Sequence, residues 1–135
     1  MSFVPQQKLN RLTKHNHQGV VAELSDIVFS SLDRLVENHN NDALFVLLDG
    51  ITDTRNLGAI IRSAAAAKAT AVVIPTHNSA QITGETVKSS AGGVFQIPIC
   101  RVNHLKDVIY LLHSLNIWTI AADEKSNNYL FDNDL

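Results

Sequence analysis

The stretch that most constrains the fold runs from Leu44 to Ile74, where two apolar runs flank a segment with helical character. The apolar runs, 44–48 and 71–74, do not alternate with polar residues, which predicts strands buried on both faces, as in a parallel sheet. A strand, a polar turn, a helix and a second strand form a β-α-β unit with parallel strands. The turn, residues 49–56, follows the carboxyl end of the first strand, where open α/β sheets bind ligands. The sequence therefore predicts a ligand site at this turn.

The rest of the chain continues this alternation of helical and strand patterns. The predicted helices are 26–38, 56–68, 85–90 and 104–115, and the predicted strands are 44–48, 71–74, 97–100 and 117–121. Ser25 and Asp26 are predicted N-caps of the first helix. Pro98 predicts an edge or irregular strand, and Trp118, within the last strand, is predicted to be a core residue. Together these patterns predict an α/β fold with a right-handed, mostly parallel sheet and helices on both faces.

Composition is typical of a soluble globular protein of one domain, with 135 residues, 45% hydrophobic and 18% charged. No apolar run approaches the roughly 20 residues that span a bilayer, and residues 1–19 contain no apolar signal region. The single cysteine, Cys100, excludes an internal disulfide, fits a reducing cytosol and is predicted to be buried. No histidine has metal-ligand spacing to that cysteine, so no metal site is predicted.

Charge is unevenly distributed along the chain. The net charge of −2 argues against a surface that binds nucleic acid everywhere. However, the first 22 residues carry Lys8, Arg11 and Lys14 and no acidic residue. Two interpretations remain open for this segment: a basic arm that contacts phosphates, or a solvated terminus. Because its apolar residues lack periodicity, residues 1–20 are predicted to be a linker or the tail of a preceding domain.

Arg62 is the candidate functional residue of the β-α-β unit. Gly58 lies four residues earlier on the same helix face, and helical side chains lean toward the N-terminus. The arginine is therefore predicted to reach the carboxyl end of the strand across the space that Gly58 leaves. A cation near a helix start is disfavoured by the dipole, so an anion such as phosphate is expected there. The alternative is a surface arginine on an alanine-rich helix.

Three further polar residues are candidates, each with a simpler alternative. Asn56 caps the helix, a role that Asp53 or Thr54 can also fill, or bonds the neighbouring turn, or belongs to the site. Arg55 lies seven residues before Arg62 on nearly the same face, which suggests a two-arginine phosphate clamp. Lys88 either contacts RNA or is solvated. No GxGxxG or GxxxxGK[ST] motif follows the first strand, which disfavours a Rossmann or flavodoxin type of domain that binds a small ligand.

The run from Asp49 to Ala64, DGITDTRNLGAIIRSA, resembles the first motif of the SpoU (TrmH) family of RNA 2′-O-ribose methyltransferases. The matching pattern is Asn56-x-Gly58-x-x-x-Arg62-x-Ala64. Residues 17–22 are similar to the linker before the family's catalytic domain, and 88–93, 97–99 and 116–118 are similar to its later stretches. The resemblance covers about residues 15–122 and is greatest to bacterial enzymes that methylate a guanosine ribose in large-subunit ribosomal RNA.

The resemblance implies an α/β-knot (SPOUT) fold, S-adenosylmethionine as methyl donor, RNA as substrate, a homodimer and a cytoplasmic location. It implies a linker or tail of an RNA-binding domain over 1–22 and the methyltransferase domain over 23–135. It assigns Arg62 and Asn56 to catalysis, and we assign Arg55, Gly58 and Lys88 to RNA binding. Because a guanidinium has no acceptor and keeps its proton in proteins, Arg62 is expected to orient and polarise the ribose hydroxyl.

The sequence departs from the family pattern in two places. Thr54 replaces the proline of the usual Asp-Pro turn, and the later Gly-x-Glu-Gly and Ser-Leu-Asn-Val-Ser-like motifs are absent. We therefore expect a domain truncated before the knot, with most of the cofactor pocket missing, no activity alone and an exposed sheet edge that favours self-association. The alternative is a non-catalytic SpoU-like module that binds RNA or a partner.

Overall fold

The computed structural model describes residues 2–14, 16–23, 26–39, 42–127 and 129. It contains the helices α1 (Gln6–Leu12), α2 (Leu32–Glu37), α3 (Thr54–Ala66), α4 (Gly84–Ser89) and α5 (Leu105–Ser114), the strands β1 (Phe45–Leu47), β2 (Ala71–Pro75) and β3 (Ile99–Val102), and a short 3-10 helix (Gly93–Phe95). No helix in these ranges is both long and apolar enough to cross a membrane.

The sheet is parallel and has the order β1-β2-β3. Phe45 pairs with Ala71, and Val72 pairs with Ile99, so the predicted β-α-β unit is confirmed. All five residues of β2 are buried, whereas those of β1 are half-buried. The difference arises because β2 lies between two strands and β1 has one neighbour among the described residues.

Alternate residues of β2 divide the core into two layers. Val72 and Ile74 pack with Leu57 and Ile61 of α3 on one face. The other face packs β2 against α2 and α5 through residues that include Ala71, Val73, Val36 and Leu112. Burying each large side chain contributes about 1.5–3 kcal/mol. Helices therefore cover both faces of the sheet, as the sequence predicted.

The first predicted helix was wrong in its first half. Residues 26–29 form no helix, and the helix begins only at Leu32. Ser30 forms a parallel bridge with Cys100, and its N–H donates to the Ile99 carbonyl at 2.8 Å. Backbone pairing with the outer edge of β3 thus overrides the helical spacing of the apolar residues. The predicted cap Ser25 lies outside the described residues.

The last predicted strand, 117–121, does not form in the described chain. Asn116 has φ +58°, and the N–H of Ile117 donates to the Leu112 carbonyl at 2.9 Å, which closes a turn at the end of α5. Trp118 is 93% exposed, so its prediction as a core residue was wrong. A strand pattern alone supplies no partner strand, and these residues have none in the described ranges.

Smaller differences occur at other element ends. α1 forms within a segment for which no helix was predicted, and none of its residues is buried. β3 begins after Pro98, which has no N–H for the ladder, and lies at the sheet edge as predicted. Cys100 is fully buried, which confirms the prediction. Burial, with a smaller contribution from Asp33, raises the pKa of its thiol above the ordinary 9.0.

Candidate functional site

The turn after β1 lies against the loop after β2, at the carboxyl edge of the sheet. The N–H of Ala80 donates to the Ile51 carbonyl at 2.7 Å. The Asn78 side-chain nitrogen lies 3.7 Å from the position that a Cβ on Gly50 would occupy. The hydroxyl of Thr76 donates to the Val102 carbonyl at 3.0 Å, which joins this loop to the end of β3. The predicted ligand edge is therefore a continuous polar surface built from three strand ends.

α3 begins two residues earlier than predicted because Asp53 caps it. Its carboxylate Oδ1 accepts from the N–H groups of Arg55 at 2.9 Å and Asn56 at 2.8 Å. The capping role considered for Asn56 is thus filled by Asp53. Within the described ranges, the Asn56 carboxamide is exposed and has no hydrogen-bond partner, so it is available to a ligand in the first turn.

One stripe of α3 faces α4 and the turn that follows it. Arg55, Gly58 and Arg62 are spaced i, i+3 and i+7, which places them on one helix face. Glu85 Oε1 accepts from Arg55 Nε at 2.9 Å, with the two side chains 77% and 41% exposed. We call this contact region the α3–α4 seam; it consists of Arg55, Gly58 and Arg62 of α3 and of Glu85, Ser89 and Gly93.

Gly58 is required where the two helices cross. A Cβ at this position would lie 1.9 Å from Ser89 Oγ and 2.9 Å from both Ser89 Cβ and the Thr86 carbonyl oxygen. The space predicted as a path for the Arg62 side chain is therefore occupied by Ser89. Gly58 brings α4 close to α3, and so shapes the surface on which the other candidates lie.

Arg62 lies where the turn after α4 meets α3. A Cβ on Gly93 would be 3.3 Å from the Arg62 Cα. The turn reaches this position through two left-handed residues, Ala91 with φ +50° and Gly92 with φ +81°. The side chain of Arg62 is exposed and has no hydrogen bond or ion pair with any residue that the structure describes. Two predicted stretches, 49–64 and 88–93, are thus neighbours in space.

The dipole argument for Arg62 was wrong. Arg62 is the ninth of the 13 residues of α3, and the dipole acts mainly within the first and last turns. Its distance from the start of the helix is about 12 Å along the axis, so it lies beside Gly93 rather than at the carboxyl edge. Arg55 and Asn56 occupy that edge instead.

Lys88 is exposed in the last turn of α4, which corresponds to the predicted helix 85–90. Glu85 and Ser89 were not identified from the sequence as site residues. Glu85 and Ser89 are one turn apart on α4, but their relation to the α3 stripe is visible only once the two helices are known to cross. In the described ranges, no group of three His, Cys, Asp or Glu side chains is placed to hold a metal ion.

Residues 43–135 match the SpoU rRNA Methylase family. The chain belongs to this family. Over its full length it is 34% identical to the 23S rRNA (guanosine-2′-O-)-methyltransferase RlmB of Pasteurella multocida, of which the match covers 57%. It is 36% identical to RlmB of Pseudomonas putida over 88% of this chain and 49% of that protein. This SpoU family chain therefore spans about half the length of the curated relatives it matches.

Solved structures agree with the family assignment. The SpoU methyltransferase AviRb from Streptomyces viridochromogenes, crystallised with the cofactor AdoMet, superposes on this chain with a TM-score of 0.56 and 31% identity. The superposition covers 66% of this chain and 34% of AviRb. The mostly parallel sheet with helices on both faces is thus the fold of SpoU methyltransferases over the part compared.

Proposed function

We propose that this SpoU chain carries the RNA-binding side of a ribose 2′-O-methyltransferase that acts on ribosomal RNA with S-adenosylmethionine as methyl donor. The observation that carries the proposal is the exposed guanidinium of Arg62, which lies within the family match and has no protein partner in the described ranges. An exposed arginine beside a helix crossing suits a polyanionic ligand, because guanidinium groups bind phosphate through two parallel hydrogen bonds.

In this proposal Arg62 orients and polarises the ribose 2′-hydroxyl. A guanidinium has five donors and no acceptor and keeps its proton in proteins, so it does not act as a base. Its contribution is positioning and electrostatic stabilisation, assisted by an RNA phosphate. Asn56 supports the site from the first turn of α3 through its unpaired carboxamide.

Two further cations complete the proposed RNA surface. Arg55 uses Nε for Glu85, which leaves its two amino groups for a phosphate. Lys88 adds an exposed ammonium on α4. Gly58 acts indirectly in this scheme, because it permits the helix crossing that brings the cations together.

S-adenosylmethionine would supply the methyl group, and the two cofactor-side motifs expected from the family pattern are not found in this sequence. Two open clefts of about 380 and 470 Å³ lie along the outer edge of β3, and neither is lined by Arg62 or Asn56. Small-molecule sites normally enclose most of the ligand surface. We therefore expect calorimetric titration of the 135-residue chain with S-adenosylmethionine to show no micromolar binding. Micromolar binding would contradict this expectation.

The role of Arg62 is tested by comparing a short RNA with DNA of the same sequence. The wild-type chain is expected to bind RNA more tightly, and Arg62→Ala is expected to reduce the preference about tenfold, since one charge-assisted hydrogen bond contributes about 1.5–3 kcal/mol. Arg34→Ala removes an equally charged, exposed side chain on α2 and serves as the control. An equal preference for RNA over DNA in Arg62→Ala and Arg34→Ala would exclude this role for Arg62.

A homodimer and a cytoplasmic location belong to the same proposal. Trp118 and Ile120 are 93% and 53% exposed, and a second copy would remove such apolar surface from water. Sedimentation of the chain is expected to show self-association. A monomer at all concentrations tested would contradict the homodimer.

A non-catalytic RNA-binding module is the second candidate, since the exposed cations Arg55, Arg62 and Lys88 suit RNA binding whether or not methyl transfer follows. The two functions differ in the cell. Deletion of the gene is expected to remove a ribose 2′-O-methyl group from ribosomal RNA, measured by mass spectrometry of nucleosides, and expression of Arg62→Ala is expected not to restore it. An unchanged methylation pattern after deletion would favour the binding module.

A further inference from the structure

The N-terminal segment concentrates positive charge on a protein whose net charge is −2. Lys8, Arg11 and Lys14 are all exposed, and none forms an ion pair with another described residue. The first acidic residue along the chain is Glu23. The segment is therefore locally cationic without internal compensation.

The three cations belong to one local unit. Lys8 and Arg11 are spaced i, i+3 on α1, so their side chains are neighbours. After α1 the chain turns back, and His17 Nε2 contacts Asn10 Oδ1 at 2.8 Å. His17 Nδ1 accepts the N–H of Gly19 at 2.9 Å, so Nε2 carries the proton donated to Asn10. Lys14 lies two residues after the end of α1.

The unit lacks the packing that normally stabilises a helix. α1 has seven residues and no buried one, whereas isolated helices shorter than about 12–15 residues are marginal in water. Two like charges one turn apart destabilise such a helix further, although Arg11 in the last turn is favoured by the dipole. An anion between the side chains would remove the repulsion and stabilise the helix.

We propose that residues 6–14 form a basic arm that binds RNA phosphates through Lys8, Arg11 and Lys14, as a second contact separate from the α3–α4 seam. Its partner is single-stranded or looped RNA recognised by backbone charge and not by base sequence. The inference rests on the proposed function, which supplies RNA as the partner.

The test is the salt dependence of binding to a labelled oligouridine, measured by fluorescence anisotropy. The arm variant is Lys8→Gln/Arg11→Gln/Lys14→Gln. The control variant, Arg34→Gln/Lys106→Gln/Lys125→Gln, replaces three exposed cations elsewhere and changes the net charge equally, from −2 to −5. All six side chains are exposed, so both variants are expected to keep the wild-type circular dichroism and Tm.

Loss of three phosphate contacts is expected to make the slope of log K against log salt shallower by about 2, and to weaken binding about tenfold near 50 mM salt. The control variant is expected to keep the wild-type slope. Equal slope changes in the two variants, an unchanged slope in the arm variant, or no RNA binding by the wild-type chain would overturn the proposal.

This result can be separated from that of the proposed function. If the arm variant loses slope while Arg62→Ala keeps the preference for RNA over DNA, the arm stands and the role of Arg62 fails. If the preference falls and the arm variant binds as the wild type does, the arm fails and the role of Arg62 stands.

Discussion

Gly58→Ala separates helix propensity from tertiary packing, because the two predict opposite signs. In an exposed helix, replacing glycine by alanine stabilises by about 1 kcal/mol. At position 58 the new methyl group would lie 1.9 Å from Ser89 Oγ and 2.9 Å from the Thr86 carbonyl oxygen. The hydroxyl can rotate away, but the carbonyl belongs to the backbone of α4, so the helices must separate.

Overpacking of this kind costs about 1–3 kcal/mol. Because the contact is with a backbone carbonyl, we place the cost for Gly58→Ala at about 3 kcal/mol, the upper end of this range. Subtracting the helix-propensity gain of about 1 kcal/mol leaves a net destabilisation of about 2 kcal/mol. With an unfolding entropy of about 2.1 cal/mol/K per residue, this corresponds to a fall of about 7 °C in Tm. The fall in Tm is measured by thermal unfolding followed by the helical circular dichroism signal at 222 nm. Urea unfolding gives a second measurement of the free energy.

Gly84→Ala is the matched control. Gly84 is the first residue of α4, and no atom lies within 4 Å of the Cβ it would gain. This variant is expected to be neutral or stabilised by a few tenths of a kcal/mol. In Gly58→Ala/Ser89→Ala the shortest contact disappears but the Thr86 contact remains, so partial recovery is expected. A Tm for Gly58→Ala at or above the wild-type value would refute the close crossing of α3 and α4.

Three further predictions follow from exposed and buried side chains. Glu85→Gln removes the ion pair between the exposed side chains of Arg55 and Glu85, so the free energy of unfolding should fall by at most about 1 kcal/mol. A larger loss, measured by urea unfolding, would show that solvent does not screen the pair. Burial is the main cause that raises the pKa of the Cys100 thiol from 9.0, so the free energy of unfolding is expected to fall as the pH rises above 9.0, where the unfolded thiol loses its proton first. The folded thiol should also resist Ellman's reagent until urea unfolds the chain. Rapid labelling of the native protein would argue against burial. Trp118, the single tryptophan, is 93% exposed. Iodide should therefore quench its fluorescence in the monomer nearly as strongly as in the unfolded chain. Weak quenching under monomeric conditions would contradict this exposure.

The sequence by itself determined the β-α-β unit and the position of its turn, and it named Asp53 as one of the possible caps. The cap depends on residues two and three positions apart, and the unit depends on two strands joined by a single crossover helix. The apolar runs 44–48 and 71–74 form strands because their backbone groups can pair in parallel on either side of one crossover helix. Asp53 caps α3 because its carboxylate reaches N–H groups two and three residues ahead.

The tertiary structure decided how the candidate residues relate to each other. Arg55 pairs with Glu85 thirty residues away, and Gly58 faces Ser89 instead of leaving a path for Arg62. Ser30 pairs with β3 because that strand offers an edge, whereas 117–121 form no strand because the described chain offers them none. The periodicity of a sequence shows which face of a helix or strand is apolar, but not which element covers that face. The crossing of α3 and α4 that defines the site depends on which element covers α3.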